Sequence, residues 1–498
     1  MFLSVPATGK EKLKYVNPFI GTAPASQPSN WDGHGRTFPG AVAPFGFIQL
    51  TPETRISSGK GYDYRDSVIY FFSCLGHLSG YPNGSAGNIK IMPVENFSKF
   101  ELNTDFRPFS HKNEITEPGY YKVMLSDNGT TIEATTSIRS GMFRFVYNRN
   151  TNPKIFVGDL GILEMEAGTT VKGSNRNTWI EFGTAWKSAE KSGDGYIFTF
   201  DKTENNTLLV KLSSSSVSFR NSKKNLNVEI SGWDFDALKE EIQNAWEKEL
   251  SVIEIHDSSV PNKTKFYTAL YHSLLIPWII SDVDGAYLGH DGKIRQATGD
   301  NQYGTFSPWD TFRSLHPLLC IIAPNRQNDM IISMLDIYRQ TGQLPVEPMT
   351  GFHSIPIIVD SYLKGITGFD KMLAYAAMKN LLLSDEKKKP DLESYILNGF
   401  VSSDYPESVT RTVEYAYNDW ALSQFAKEVI NQFDDHLNLL KRSMNYQNFF
   451  DPNQLFLVPR TENGFVLSED NFGFKEGDKW NYSLFVHHNI RDIINLKG

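Results

Sequence analysis

Glu476 stands in FKEGDKWNYSLFVHHNI, residues 474–490, at a predicted helix entrance and among aromatic side chains. A carboxylic acid in that setting can protonate a leaving oxygen if burial or a nearby negative group holds its proton on. Phe474 and Trp480 are the expected apolar wall. Such a donor is half of an acid–base pair; the other half is a carboxylate that draws a proton from water. A Glu at a helix start also suits the helix dipole, with no chemistry implied. Asp310, in SPWDTFRSLHP, is a second candidate. Its carboxylate can accept two hydroxyl hydrogens at once, which suits a vicinal diol. Trp309 beside it offers a flat apolar face, and Arg313 lies three residues on. Asp310 is equally suited to capping a helix, and Arg313 to pairing with an acid. A third group lies in VEYAYNDWALSQFAK, with Glu414, Tyr415, Asp419 and Trp420. Tyr415 and Asp419 are four apart and share one helix face. His77 in FSCLGHLSGYPNGSAGN and Asp63 in GYDYRD fall on predicted loops of an earlier, strand-rich region.

Two textures of sequence position these residues. Residues 15–235 alternate Val, Ile, Phe, Tyr and Thr with Gly, Asn, Asp and Ser, as in IKIMPVEN, MFRFVYN and GYIFTFDKT. Period-two alternation between frequent turn signals predicts an antiparallel β-sandwich. From residue 236 the apolar spacing becomes helical, beginning with FDALKEEIQNAWEKELSVIEI. Residues 236–262 are expected to be a helical linker and 263–498 a helical domain. Strands first and helices after predict separate β and α layers, not an α/β sheet. Residues 1–14, MFLSVPATGKEKLK, look like the remnant of a secretory signal or a frayed terminus.

Composition narrows the function. The net charge of -8 with no basic tract argues against a nucleic-acid partner. No apolar run reaches the ~20 residues that span a bilayer. Cys74 and Cys320 are the two cysteines, too few for a zinc site or disulfide framework; buried free thiols are expected, with a single bridge between them as the alternative. Aromatic residues make up 13%, a content that serves either a large core or a cleft that stacks on sugar rings.

Three stretches carry a family resemblance: TFSPWDTFRSLHPL, SVTRTVEYAYNDWALSQFAK and FKEGDKWNYSLFVHHNI. With YVNPFIGT, TFPGAVAPFGFIQLTPET and FSHKNEITEPGYYKV they follow one order along nearly the whole chain. In this the sequence resembles glycoside hydrolase family 92. The resemblance implies a calcium-dependent, inverting exo-α-mannosidase of the α-1,2 type, acting on mannose-containing glycans in the periplasm, at the cell surface or outside the cell. It implies an antiparallel β-sandwich followed by an (α/α)6-type barrel. Glu476 matches the family's general acid, and Trp309 and Asp310 its terminal-mannose pocket. Arg313, Tyr415, Asp419, Trp420, Trp480, His77 and Asp63 are further candidates for the sugar site. The segment GQLPVEPMTGFHSIPII is shorter than usual for the family, and Asp478 and Lys479 replace smaller residues. The family's catalytic base and calcium-binding acids come from a later acidic motif that nothing in residues 1–498 matches. An incomplete barrel is therefore expected, with no calcium ligands assigned. A non-catalytic carbohydrate-binding remnant, or another (α/α)6 glycosidase, remains an alternative.

Overall fold

The computed structural model describes residues 11–24, 35–54, 61–77, 88–95, 99–101, 104–148, 151–202, 204–346, 348–383, 389–466 and 471–498. The chain divides into two compact units. The first runs to Leu288 and adds Ile294–Ala297 and Asn301–Thr305; the second holds Gly289–Lys293, Thr298–Asp300 and Phe306–Gly498.

The first unit is built on two antiparallel sheets. One orders seven strands as Ala41–Val42, Ile48–Glu53, Phe71–Leu75, Asn88–Pro93, Lys154–Gly158, Gly195–Thr199 and Ser188–Ser192. The other orders nine, with Thr178–Phe182, Thr207–Ser213, Ser140–Val146, Thr131–Thr136 and Tyr120–Leu125 at its centre. Alternation along each strand decides which side chains meet between them. Leu208, Val210 and Leu212 enter the shared core, as do Phe143 and Phe145. Phe72 of the first sheet meets Tyr121 and Phe143 of the second, each edge-on at 5.8 Å.

The nine-stranded sheet also buries its other face. Met142, Trp179 and Tyr120 pack there with Leu226 and Ile230, and with Phe235 and Leu238 of a second helix. The helix Phe219–Glu229 falls inside the region expected to be strands. The helix Phe235–Leu250 is not a linker, since four contacts fasten it to the β unit. Asp236 pairs with Arg144 at 2.8 Å and Gln243 donates to Glu117 at 2.7 Å. Glu247 accepts the backbone N–H groups of Lys12 and Leu13 at 3.0 Å. Trp246, fully buried, donates its indole N–H to the Val42 carbonyl at 2.7 Å. The unit therefore extends well past the expected boundary at 262/263. Its polar ties draw the helices onto the sheet, which periodicity alone does not reveal. Residues 11–15 are ordered by the same Glu247, whereas residues 1–10 of the expected signal remnant lie outside the described residues.

The second unit is helical. Its principal helices are Pro324–Thr341, Ser354–Leu363, Lys371–Leu383, Pro390–Asn398, Ser408–Phe425 and Phe433–Arg442. Two start on Pro and stop on left-handed Gly, at Gly342 (φ 75°) and Gly399 (φ 76°). Pro needs no amide partner at a helix start, and Gly adopts positive φ without strain at its end. Ser408–Phe425 packs against Ser354–Leu363, Lys371–Leu383, Pro390–Asn398 and Phe433–Arg442, which makes it the axis of the unit's core. Both cysteines are free; Cys74 is buried and Cys320 partly so. No helix among the described residues is long and apolar enough to cross a membrane.

Trp246→Phe removes a buried N–H donor and part of a large ring. We expect a loss of about 2–4 kcal/mol in unfolding free energy. Urea titration followed by circular dichroism measures it, and a loss under 1 kcal/mol would show that the helix is not held through Trp246.

Candidate active site

Two of the sugar-site candidates connect to the first half of the Ser408–Phe425 helix, Trp309 through Glu414 and Glu476 through the bond of its neighbour Lys475 to Thr410. Trp309 and Asp310 belong to the short helix Pro308–Thr311. The Trp309 indole N–H points at two acceptors, Glu414 Oε1 at 3.0 Å and Thr350 Oγ1 at 3.1 Å. The guanidinium of Arg313 lies 4.5 Å from the Trp309 ring centre, and 4.9 Å from those of Phe312 and Phe485. Arg313 therefore acts as a cation on rings, a use the sequence left open. Asp310 is exposed and accepts the Ser307 hydroxyl at 2.6 Å; it lies within its short helix and is not the N-cap of the next one, a position Ser314 takes. Exposure also leaves its carboxylate open to a ligand. A cavity of about 450 Å³ adjoins this frame, lined by Phe312, Arg313, Tyr417, Phe485 and His487 among others.

The residue before Glu476 is held at both its N–H and its carbonyl. The Lys475 N–H donates to Thr410 Oγ1 at 3.0 Å, and the Lys475 carbonyl accepts the Tyr482 hydroxyl at 2.7 Å. The Lys475 ammonium pairs with Glu407 at 3.0 Å. Next to these ties Glu476 takes φ +48°, left-handed for a non-glycine residue. That conformation costs on the order of 1 kcal/mol and persists only where neighbours impose it; such strain gathers at functional sites. Glu476 is exposed, so the expected apolar wall is absent. Phe474 is buried and stacks on Tyr482, while Trp480 is 61% exposed and lies edge-on to Phe456 at 4.5 Å. Nor does Glu476 cap the next helix. Asp478 does, accepting the N–H groups of Trp480 and Asn481 in a capping box.

Tyr482 links the two halves of the site. Burial, chiefly, pushes its phenol up to about 12; Glu414 and Glu476 add to the shift, while Thr410 and Arg313 oppose it.

Several expected site residues serve the core instead. Tyr415 is buried and donates to Asp391 at 2.7 Å. Asp419 is fully buried; it accepts from Tyr395 at 2.8 Å and Arg442 Nε at 3.0 Å. The two do share a helix face, but that face turns inward. Trp420 is half-buried, stacked near Tyr417 and tilted against His488. Asp63, in the β unit, is buried and engaged by Arg65 at 2.8 and 3.0 Å. His77, also buried, shares a hydrogen bond of 2.8 Å with Ser73, whose hydroxyl donates to Glu53. Sequence reading missed His353, Thr350 and Tyr482. The signal available for the first two was the Gly-Phe-His turn of the compressed TGFHS segment. Among the described residues, no three His, Cys, Asp or Glu side chains come together to hold a metal ion.

A β unit followed by a helical unit, with rings and carboxylates presented together, is the build of a carbohydrate-active enzyme. The chain belongs to glycosyl hydrolase family 92: the family's catalytic-domain model matches residues 221–498 and its N-terminal-domain model residues 15–179. It is by family a glycoside hydrolase. It is similar to a solved family 92 α-mannosidase of Bacteroides thetaiotaomicron, at 28% identity and TM-score 0.87, over 98% of this chain and 73% of that one. That protein has also been solved with mannoimidazole. A family 92 inverting mannosidase of the same bacterium matches at 25% identity and TM-score 0.90, over 98% of this chain and 72% of that one. An uncharacterized secreted glycosidase of Arthroderma benhamiae is 22% identical, over 98% of this chain and 72% of its own length.

Burial pushes the Asp419 carboxyl up to about 6, with Arg442 and Tyr395 pulling the other way. The folded state thus keeps a proton that the unfolded chain releases near ~3.9. This contribution to stability is full below ~3.9 and is lost as pH rises through about 6. The parent should therefore lose stability relative to Asp419→Asn, whose amide does not titrate, between pH 4 and pH 6. Urea unfolding at several pH values measures it; a parent that gains stability relative to Asp419→Asn over that range would refute the assignment.

Proposed function

We propose that the chain is an exo-acting, inverting α-mannosidase that releases terminal α-1,2-linked mannose from glycans outside the cytoplasm. What carries this reading is the family membership together with the arrangement of Trp309, Asp310 and Glu476 in one helical unit. The two solved mannosidases resemble the chain over nearly its whole length. The secreted fungal relative supports the location.

In this reading the terminal sugar lays its apolar face on Trp309 and offers vicinal hydroxyls to Asp310. Glu476 delivers its proton to the glycosidic oxygen as the carbon–oxygen bond breaks. Water attacks the anomeric carbon from the opposite face and gives up a proton to a second carboxylate, which inverts the configuration. The exposed, strained position of Glu476 suits a group that meets its partner only when substrate arrives. The second carboxylate is not assigned to a residue of this chain. Calcium enters only as the family resemblance implies.

Glu476→Gln keeps the shape of the acid and removes its proton. Release of mannose from an α-1,2-mannobiose should fall by ~10²–10⁴-fold. The loss should be smaller on an aryl α-mannoside, whose leaving group needs less protonation. Equal losses on both substrates would take Glu476 out of the mechanism. Mannoimidazole binding by the parent without mannose release would favour a carbohydrate-binding protein. Neither binding nor release would overturn the proposal.

A further inference from the structure

Glu414 is fully buried, yet only one of its oxygens is hydrogen-bonded. Oε1 accepts the Trp309 indole N–H at 3.0 Å; Oε2 has no hydrogen-bond partner among the described residues. A buried, half-satisfied carboxylate is costly and calls for a reason. His353 Nε2 lies 3.5 Å from Oε2, and neither ring nitrogen of this buried histidine has a hydrogen-bond partner there. The backbone closes tightly over the pair. A Cβ on Gly351 (φ +71°) would come within 2.6 Å of His353 Nε2 and 3.0 Å of Glu414 Oε2.

The contacts run in a closed circuit. His353 stacks face to face on Phe312, 4.0 Å apart and 7° from parallel. Arg313 lies over Phe312 and Trp309. Trp309 returns to Glu414 through its N–H. The tilt of the indole is fixed at its edge by Glu414 and Thr350, which share its N–H, and across its face by Arg313. Stacking on a sugar is sensitive to that tilt, because a rotated ring loses contact over its whole area.

We propose that Glu414, backed by His353, is a positioning residue that sets the plane of the Trp309 indole for sugar stacking. It touches no substrate and acts through the N–H···Oε1 bond. The inference rests on the proposed sugar-binding role of Trp309 but is tested separately from it.

The test uses the full chain labelled with 5-fluorotryptophan, in which Trp309→Phe identifies one of the nine tryptophan resonances. Without any ligand, the Trp309 signal should be sharp in the parent and in Glu414→Gln, whose amide oxygen can still accept the indole hydrogen. It should broaden or split in Glu414→Ala, and in Glu414→Asp, which keeps the charge but lacks the reach. An unchanged signal in Glu414→Asp and Glu414→Ala would overturn the proposal whether or not the chain binds sugar. If Glu414→Ala does not fold, Glu414→Asp alone decides. Mannoimidazole titration supplies the second readout. Glu414→Asp should weaken binding roughly tenfold in the parent and by less than twofold in Trp309→Phe, where no N–H remains to be held. Equal weakening in both backgrounds would mark Glu414 as merely structural and overturn the proposal. Failure of the parent to bind mannoimidazole would count against the proposed function and leave the fluorine result standing.

Discussion

A carboxylate placed in the middle of a helical core has to be answered, and the Ser408–Phe425 helix carries two of them. Glu414 and Asp419 are both fully buried, where an unpaired charge would cost several kcal/mol. Around Asp419, Tyr395 and Arg442 converge from neighbouring segments: Oδ2 accepts from both, and the Arg442 guanidinium lies 2.8 Å from Oδ1. Around Glu414 the answer is partial, and it comes from the residues that build the candidate site: the Trp309 indole and the His353 ring. Five residues along one helix separate a carboxylate met by a guanidinium from one left half open. The open one lies where Trp309, Arg313 and the Glu476 loop meet.

That loop depends on the same helix. Thr410, in its first turn, accepts from the Lys475 N–H, and the Val409 N–H donates to the Gly473 carbonyl at 3.0 Å. Glu407, just before it, draws in the Lys475 ammonium. Glu476 is thus placed by bonds to its neighbours, while its own side chain stays exposed. A group that must give up a proton to an incoming molecule is best supported in this way, through the backbone instead of the functional atoms.

The β unit treats its buried charges as strictly as the helical unit does. Arg107, fully buried, is matched by Glu95 at 3.0 Å and by Asp127 at 2.6 and 2.9 Å. Glu114 accepts hydrogen bonds from Tyr62 and Tyr121 and shares one with His111 at 2.6 Å. Burial still drives the Glu114 carboxyl upward against those bonds. Asp63 and His77 belong to this class of satisfied interior groups. Their residue types suggested chemistry because the same types that catalyse also staple sheets together.

Period-two runs such as MFRFVYN and helical runs such as RQNDMIISMLDIYRQTG carried their own evidence, because the 2.0 and 3.6 repeats follow from local backbone geometry. The order of strands before helices and the three motifs around Trp309, Glu414 and Glu476 were legible in residue order. The direction in which a polar side chain points was not. Tyr415 and Asp419 were correctly put on one helix face, but whether that face meets solvent or core depends on Asp391, Tyr395 and Arg442. Those partners lie more than twenty residues away along the chain. The helix Phe235–Leu250 was seen as a helix, yet its docking on the sheet turns on the Trp246 bond to Val42, 204 residues apart. Sequence determines periodicity because periodicity is local. Tertiary structure decides burial, and with it which carboxylates are staples and which remain free to react, because burial is a sum over contacts that only the folded chain brings together.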